Sequence, residues 1–177
     1  MFISILLSLI LLGGAALFGV GLQRNPEIWR SLPREKTIGI ALGIIALGWT
    51  VHIVTPLLEG KLANLQPFLY PLAVAIAIGS YMELEYLFTR SMAGILLLMT
   101  PAAMHEAFVD HAPGRIVTSA ICYLVGFIAI WFMASPYRFR DWLKAASERP
   151  QIRATSAAFL GIMGIGVLVI SIGGLLR

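Results

Sequence analysis

The sequence predicts an all-α protein, a polytopic membrane helix bundle of about six transmembrane helices that forms a single integral membrane domain over residues 1–177. Hydrophobic residues make up 59% of the chain and charged residues 12%, whereas about 25% of the residues of a soluble domain are charged. Six apolar runs are long enough to cross a hydrocarbon core, which is about 30 Å thick and takes about 20 helical residues. The remaining connections are too short for a soluble domain.

In chain order, the apolar runs cover residues 2–22, 37–58, 68–88, 91–109, 115–134 and 154–175. The first run has no basic segment before it and is long enough to span, so we expect a retained helix rather than a cleaved signal peptide. The single cysteine, Cys122, excludes an intrachain disulfide and is interpreted as an apolar core residue. Small residues at close helical spacing allow membrane helices to approach each other, and they occur at Gly39 and Gly43, at Ala75 and Gly79, and at Gly161, Gly164 and Gly166.

Residues 136–148, between the last two apolar runs, are predicted to form an amphipathic helix at the membrane interface. Ser135 and Pro136 are a favourable helix start, because the first helical position needs no N–H donor. Phe139, Trp142 and Leu143 share one face at helical spacing, and we expect this face to point towards lipid.

Two segments of the chain resemble each other, one beginning at Asn25 and the other at Ser135. Each leads from a proline through an aromatic–basic pair into a Gly-rich apolar run. The first two and the last two apolar runs therefore fit a parallel repeat. The alternative is chance similarity, because Gly, Leu and Ile dominate any membrane helix.

The basic residues are concentrated in the connections at one end of the predicted bundle. By the positive-inside rule these connections are cytoplasmic, which places both termini on the non-cytoplasmic side. We therefore expect a multi-pass protein of a bacterial-type inner membrane, with the lipid bilayer, and a membrane protein or a second copy of the chain, as partners and with no nucleic-acid partner. Ten of the 13 basic residues lie at this end, namely Arg24, Arg30, Arg34, Lys36, Arg90, Arg138, Arg140, Lys144, Arg149 and Arg153, and three at the other, namely Lys61, Arg115 and Arg177.

His52 and His105 lie within apolar runs, where an ionisable side chain is costly and is therefore a candidate for function. His52 is 15 residues beyond Thr37, and His105 is 15 residues beyond Arg90. Both therefore lie about 22 Å above the cytoplasmic ends of their helices. Two imidazoles at one depth are suited to be the two axial ligands of a haem, or to contact a quinone. We expect both side chains to face the bundle interior. The alternative is one interhelical hydrogen bond each.

The end of the fourth run concentrates polar residues, which predict either a metal site or the polar exit of a helix. Glu106 and Asp110 share a helical face. The two histidines of this stretch are six residues apart, so both reach one ion only if the helix ends between them. This spacing matches no established ligand motif, and the polar exit is the favoured interpretation. The candidate metal ligands are His105, Glu106, Asp110 and His111.

Thr100 and Pro101 lie about one turn below this polar stretch. A proline inside a helix frees the backbone carbonyl four residues before it. We expect that carbonyl to find another partner within the protein, because the hydrocarbon region offers no water.

A second polar group, Glu83, Glu85 and Arg90, lies between the third and fourth runs. Glu83 is the deepest of the three and is our candidate for a proton- or cation-coupled step if the protein is a small transporter. Glu85 is expected at the interface, paired with Arg90. The alternative for Glu83 is a structural role, in which its carboxylate reaches the membrane interface and forms an ion pair.

No phosphate-binding glycine loop, zinc-type cysteine set or serine nucleophile motif occurs in the sequence. The leading hypothesis is therefore a non-catalytic membrane subunit or accessory protein that acts through helix contacts. A haem- or quinone-binding redox component that uses His52 and His105 is the second hypothesis. A small proton- or cation-coupled transporter that uses Glu83 is the third.

Overall fold

The computed structural model describes residues 1–25, 29, 31–58 and 60–176, which form helices and turns with no strand among them. Six of the helices are long and apolar enough to span a membrane, which confirms the number predicted from hydropathy. We name the helices α1 (Phe2–Arg24), α2 (Lys36–Leu57), α3 (Gln66–Glu83), α4 (Leu87–Val109), α5 (Arg115–Ala134), α6 (Tyr137–Glu148) and α7 (Pro150–Leu175).

The connections between helices gather at two ends of the bundle. The basic end carries the α1–α2 and α3–α4 connections and α6, and its parts meet where Arg34 and Arg140 donate hydrogen bonds to the Tyr86 hydroxyl. The terminal end carries the start of α1, the α4–α5 turn and the end of α7, as the approach of Gly173 to Pro113 shows. Three parts of the sequence predictions lie outside the described residues: residues 26–28 of the repeat, Arg30 and Arg177, and the side chain of Lys61.

Close approaches at glycine hold the main helix pairs together. A Cβ atom on Gly39 of α2 would lie 2.6 Å from the backbone nitrogen of Phe88 in α4, and one on Gly164 of α7 would lie 2.9 Å from Leu12 Cγ in α1. These contacts confirm for α2 and α7 the prediction that small residues allow close helix approach. A Cβ on Gly79 of α3, by contrast, would meet nothing within 4 Å.

The interior contains two hydrophobic clusters, one in each half of the bundle. The cluster nearer the terminal end joins α1, α4, α5 and α7 and includes Cys122, which confirms the interpretation of this cysteine as a core residue. The cluster at the basic end is rich in aromatic side chains and joins α1, α4 and α6 through Phe18, Leu22, Phe88, Phe139, Leu143 and Ala146. α3 has no buried residue and packs chiefly on α2.

The apolar face of α6 is turned towards protein, so the prediction that it points towards lipid is wrong. Phe139 and Leu143 are 7% and 0% exposed. The reason is that α1 and α5 present aromatic partners: Phe18 lies 4.4 Å and Phe132 5.8 Å from Trp142 between ring centroids. The helix itself was correctly predicted, but its partner surface is the bundle.

Pro101 lies inside α4, and the carbonyl it frees has a partner as the sequence predicted. That carbonyl belongs to Leu97, four residues earlier. The neighbouring Thr100 hydroxyl donates a hydrogen bond to it over 3.3 Å. The local pair Thr100–Pro101 therefore satisfies its own backbone without help from another helix.

Candidate functional site

The two histidines within the long apolar helices lie on the outer surface of the bundle. His52 and His105 are both exposed, so the prediction that they face the interior is wrong. Gly43 of α2 contacts α4, and His52 lies nine residues further along α2. At about 3.6 residues per turn, His52 is therefore on the opposite side of α2 from Gly43. His105 lies midway between the buried Ala103 and Ala107 and therefore points the opposite way. Their role as cofactor ligands stays a prediction that this placement does not support.

Glu106 binds the start of α1. Its carboxylate accepts hydrogen bonds from the backbone N–H groups of Ile3 (3.0 Å) and Ser4 (2.9 Å) and from the Ser4 hydroxyl (2.9 Å). A carboxylate at a helix N-terminus satisfies free N–H groups and opposes the helix dipole. No local feature of the sequence announces this contact, because the partners are about a hundred positions apart.

The other three candidate metal ligands do not join Glu106 in a ligand set. Asp110 contacts the amine of Met1 at 3.1 Å, and His111 lies 3.5 Å from Arg115 at the turn into α5. Within residues 1–25, 29, 31–58 and 60–176, no group of three or more His, Cys, Asp or Glu side chains could hold a metal ion. A metal site at this stretch stays a prediction, as does the polar helix exit.

The candidate transport residues lie at the basic end. Glu83 and Glu85 are exposed, and Arg90 is half-buried beside a groove between α2, α3 and α4. In the described part of the chain, no ion pair joins either carboxylate to Arg90. A transport role for these residues stays a prediction.

The most distinct feature of the molecule is a cavity of about 470 Å³ at the basic end, enclosed by α1, α4, α5, α6 and α7. Small-molecule sites in proteins typically measure about 300–1,000 Å³. Side chains of Leu96, Ile128 and Leu160 form part of its aliphatic wall. Trp131 and Phe159 also line it and are 46% and 43% exposed, so the cavity opens onto the outer surface of the bundle.

An aromatic wall forms the side of the cavity that faces α6. Phe132 packs edge-on against Phe139 at 5.2 Å between ring centroids, and Trp142 stacks on Phe132 at 5.8 Å. The Trp142 Nε1–H donates a hydrogen bond to the Ser156 hydroxyl over 3.0 Å. Because its polar atom is satisfied there, the indole can present an apolar ring to the cavity.

Among the described residues that line the cavity, Arg138 is the only ionisable one. Its guanidinium lies over the rings of Trp131 and Tyr137, at 5.2 Å and 5.8 Å from their centroids. Such stacking holds an arginine in place and leaves the edge of its guanidinium free for an anion. Over the residues that the structure describes, Arg138 forms no ion pair.

Arg140, two positions further along α6, has its partners within the protein. It binds Asp141 at 2.7 Å and donates to the Tyr86 hydroxyl over 3.0 Å. The hydrogen bond that Arg140 donates to the Asp141 carboxylate raises the pKa of Arg140. The two arginines of α6 therefore differ, since one is committed to the protein and the other faces the cavity.

Sequence reasoning missed the cavity, although part of its signal was visible. The aromatic face of α6 was recognised, but nothing in the sequence showed that Phe18 and Phe132 would oppose it. A comparison of the chain with protein-family models, characterised proteins and solved structures finds no match. The site must therefore be interpreted from its own geometry.

Proposed function

We propose that this chain is a non-catalytic, multi-pass protein of a bacterial-type inner membrane that binds the hydrocarbon chain of a membrane lipid in the cavity at its basic end. It acts as a subunit or accessory protein, with the basic end in the cytoplasm and both termini outside. The observation that carries the proposal is the open cavity of about 470 Å³ with an almost wholly apolar lining.

A hydrocarbon chain suits this cavity better than a polar solute does. An unfilled apolar space loses dispersion contacts along its walls, and each Å³ of cavity costs about 24 cal/mol in a soluble protein core. A lipid chain that enters from the bilayer gains no hydrophobic energy, because lipid is already apolar. It gains close contacts with the cavity wall instead, and the exposed Trp131 and Phe159 mark a route of entry.

The proposal uses none of the earlier cofactor or transport candidates. The residues that line the cavity do not include His52, His105 or Glu83. A redox or transport role for those residues is therefore a separate hypothesis and stays a prediction from the sequence.

The test is native mass spectrometry of the protein purified in mild detergent. We expect the wild-type chain to retain about one lipid under conditions that remove annular lipid. Ile128→Trp fills the cavity from α5 and should abolish retention. Ile130→Trp is the matched control, because Ile130 lies on the same helix but is 58% exposed to the outside.

Equal lipid retention by Ile128→Trp and Ile130→Trp would overturn the proposal. So would a retained quinone in place of a lipid, recognised by its mass and ultraviolet spectrum. Correct folding of both variants is checked by their elution volume and by burial of Cys122, the single cysteine of the chain.

The orientation is tested independently by reporter fusions. An alkaline phosphatase fused after Ala146 in α6 is expected to be inactive, because this enzyme matures only outside the cytoplasm. A fusion in the α4–α5 turn, at Pro113, is expected to be active. The reverse pattern would show that the basic end lies outside.

A further inference from the structure

We propose that the lipid held in the cavity is a phospholipid with an anionic headgroup, whose phosphate binds Arg138 at the mouth of the cavity. This inference rests on the proposed function and adds the chemical class of the ligand. The ligand is a lipid of the bilayer rather than a free anion, because Arg138 lines the same cavity as the apolar residues. A ligand that binds Arg138 and also fills this cavity needs both a phosphate and a hydrocarbon chain.

The position of Arg138 on α6 supports this assignment. It is the second residue of α6, and its side chain reaches both the solvent-exposed surface and the lining of the cavity. Trp131 and Tyr137, on which it stacks, are each 46% exposed. Tryptophan and tyrosine are enriched at the headgroup level of a bilayer. Arg138 therefore lies where a phosphate would lie if the attached chain entered the cavity.

The chemistry of the guanidinium supports an anion over a neutral headgroup. A guanidinium that stacks on aromatic rings keeps its N–H edge available for bidentate bonding to phosphate. Arg140 shows the alternative state, since Asp141 and Tyr86 occupy its donors. Among the described residues that line the cavity, the positive charge at the mouth is that of Arg138.

The test compares two lipids with identical palmitoyl and oleoyl chains, phosphatidylglycerol and diacylglycerol, which lacks the phosphate, added to delipidated full-length protein. Wild-type protein should retain the anionic lipid about five- to tenfold better, as expected for one favourable arginine–headgroup contact. Arg138→Gln should bind both lipids alike. Lys144→Gln is the matched control, because it removes one positive charge from the exposed face of the same helix.

The outcomes separate this inference from the proposed function. If both lipids bind equally to wild-type protein and Ile128→Trp removes both, the headgroup inference fails while the cavity still binds lipid. If Ile128→Trp removes neither, the proposed function itself fails. Equal loss of preference in Arg138→Gln and Lys144→Gln would assign the preference to general surface charge and overturn the role of Arg138.

A competition with inorganic phosphate tests the source of the anion. Millimolar phosphate should leave bound phosphatidylglycerol in place, because free phosphate gains nothing from the cavity. Displacement at that concentration would show that the site binds free phosphate and would overturn the assignment to a lipid.

Discussion

The two halves of the bundle share α1 and α4 but differ in the side chains through which their helices meet, and most of the cavity lining belongs to the aromatic half. In the terminal half, α1, α4, α5 and α7 meet through aliphatic and small side chains such as Leu7, Ala103 and Val167, each 0% exposed. In the basic half, Phe18, Phe132 and the aromatic residues of α6 oppose one another. The difference indicates that the shape of the side chains, rather than their hydropathy, decides where the cavity lies.

The physical reason lies in how the side chains interlock. Small residues let backbones approach, and aliphatic chains then fill the remaining space in low-energy rotamers. Flat rings meet at centroid distances of about 4.5–7 Å and in tilted arrangements. Rings packed in this way do not interlock as aliphatic chains do, and the cavity lies beside the wall that they form.

The largest expected effect is a contrast between two methionines on α4. Met99 is 0% exposed in the terminal half, and Met92 lines the cavity. Met99→Ala should lower the free energy of unfolding by about 2–5 kcal/mol, because it opens a hole in a filled core. Met92→Ala should cost distinctly less, because one side of Met92 already lacks contacts.

The measurement for both variants is thermal unfolding followed by a thiol-reactive dye that reports exposure of the buried Cys122. Equal destabilisation by Met99→Ala and Met92→Ala would mean that the two halves are equally well packed. The contrast between them would then be wrong.

A second contrast concerns the two helices that form the α2–α3 hairpin. Gly39→Ala places a methyl group against the backbone of Phe88, and we expect a loss of about 1–3 kcal/mol from overpacking. Gly79→Ala adds a methyl group in open space, so it should be neutral or stabilise α3 by up to about 1 kcal/mol. The same dye assay measures both, and a larger loss for Gly79→Ala would indicate that α3 is covered by a partner.

The sequence was sufficient for the positions of the helices. α2 was predicted at 37–58 and is found at Lys36–Leu57, and α7 was predicted at 154–175 and is found at Pro150–Leu175. Hydropathy suffices here because a spanning helix must be apolar over its whole length and must satisfy its backbone internally. The partner of the Leu97 carbonyl was predictable for the same reason, since its donor is a neighbour in sequence.

The sequence was not sufficient for the direction in which side chains point. A helix that is apolar all round has no polar face to mark its outer side, so His52 and His105 were placed inside although both are exposed. Likewise the aromatic face of α6 has the same composition whether it meets lipid or protein. The cavity depends on which side chains of distant segments face each other. The contact of Glu106 likewise joins residues about a hundred positions apart in the sequence.

The third prediction tests the terminal end of the comparison. Glu106→Gln keeps the shape of the side chain but removes the charge that binds the start of α1. We expect a loss of about 1.5 kcal/mol, since hydrogen bonds to a charged group contribute about 1.5–3 kcal/mol and this carboxylate is partly exposed. Glu83→Gln, on an exposed side chain at the other end, is the control and should change little.

The smallest expected effect concerns the polar contacts of Tyr86 at the basic end. Tyr86→Phe removes the hydroxyl that accepts hydrogen bonds from Arg34 and Arg140 but keeps the ring over which both guanidinium groups lie. Exposed polar contacts of this kind contribute little, so the unfolding midpoint should fall by no more than about 2 °C. Lipid retention should stay at the wild-type level, because Tyr86 does not line the cavity. A large fall in either quantity would show that the hydrogen bonds to Tyr86, rather than the aromatic wall, hold α6 in place.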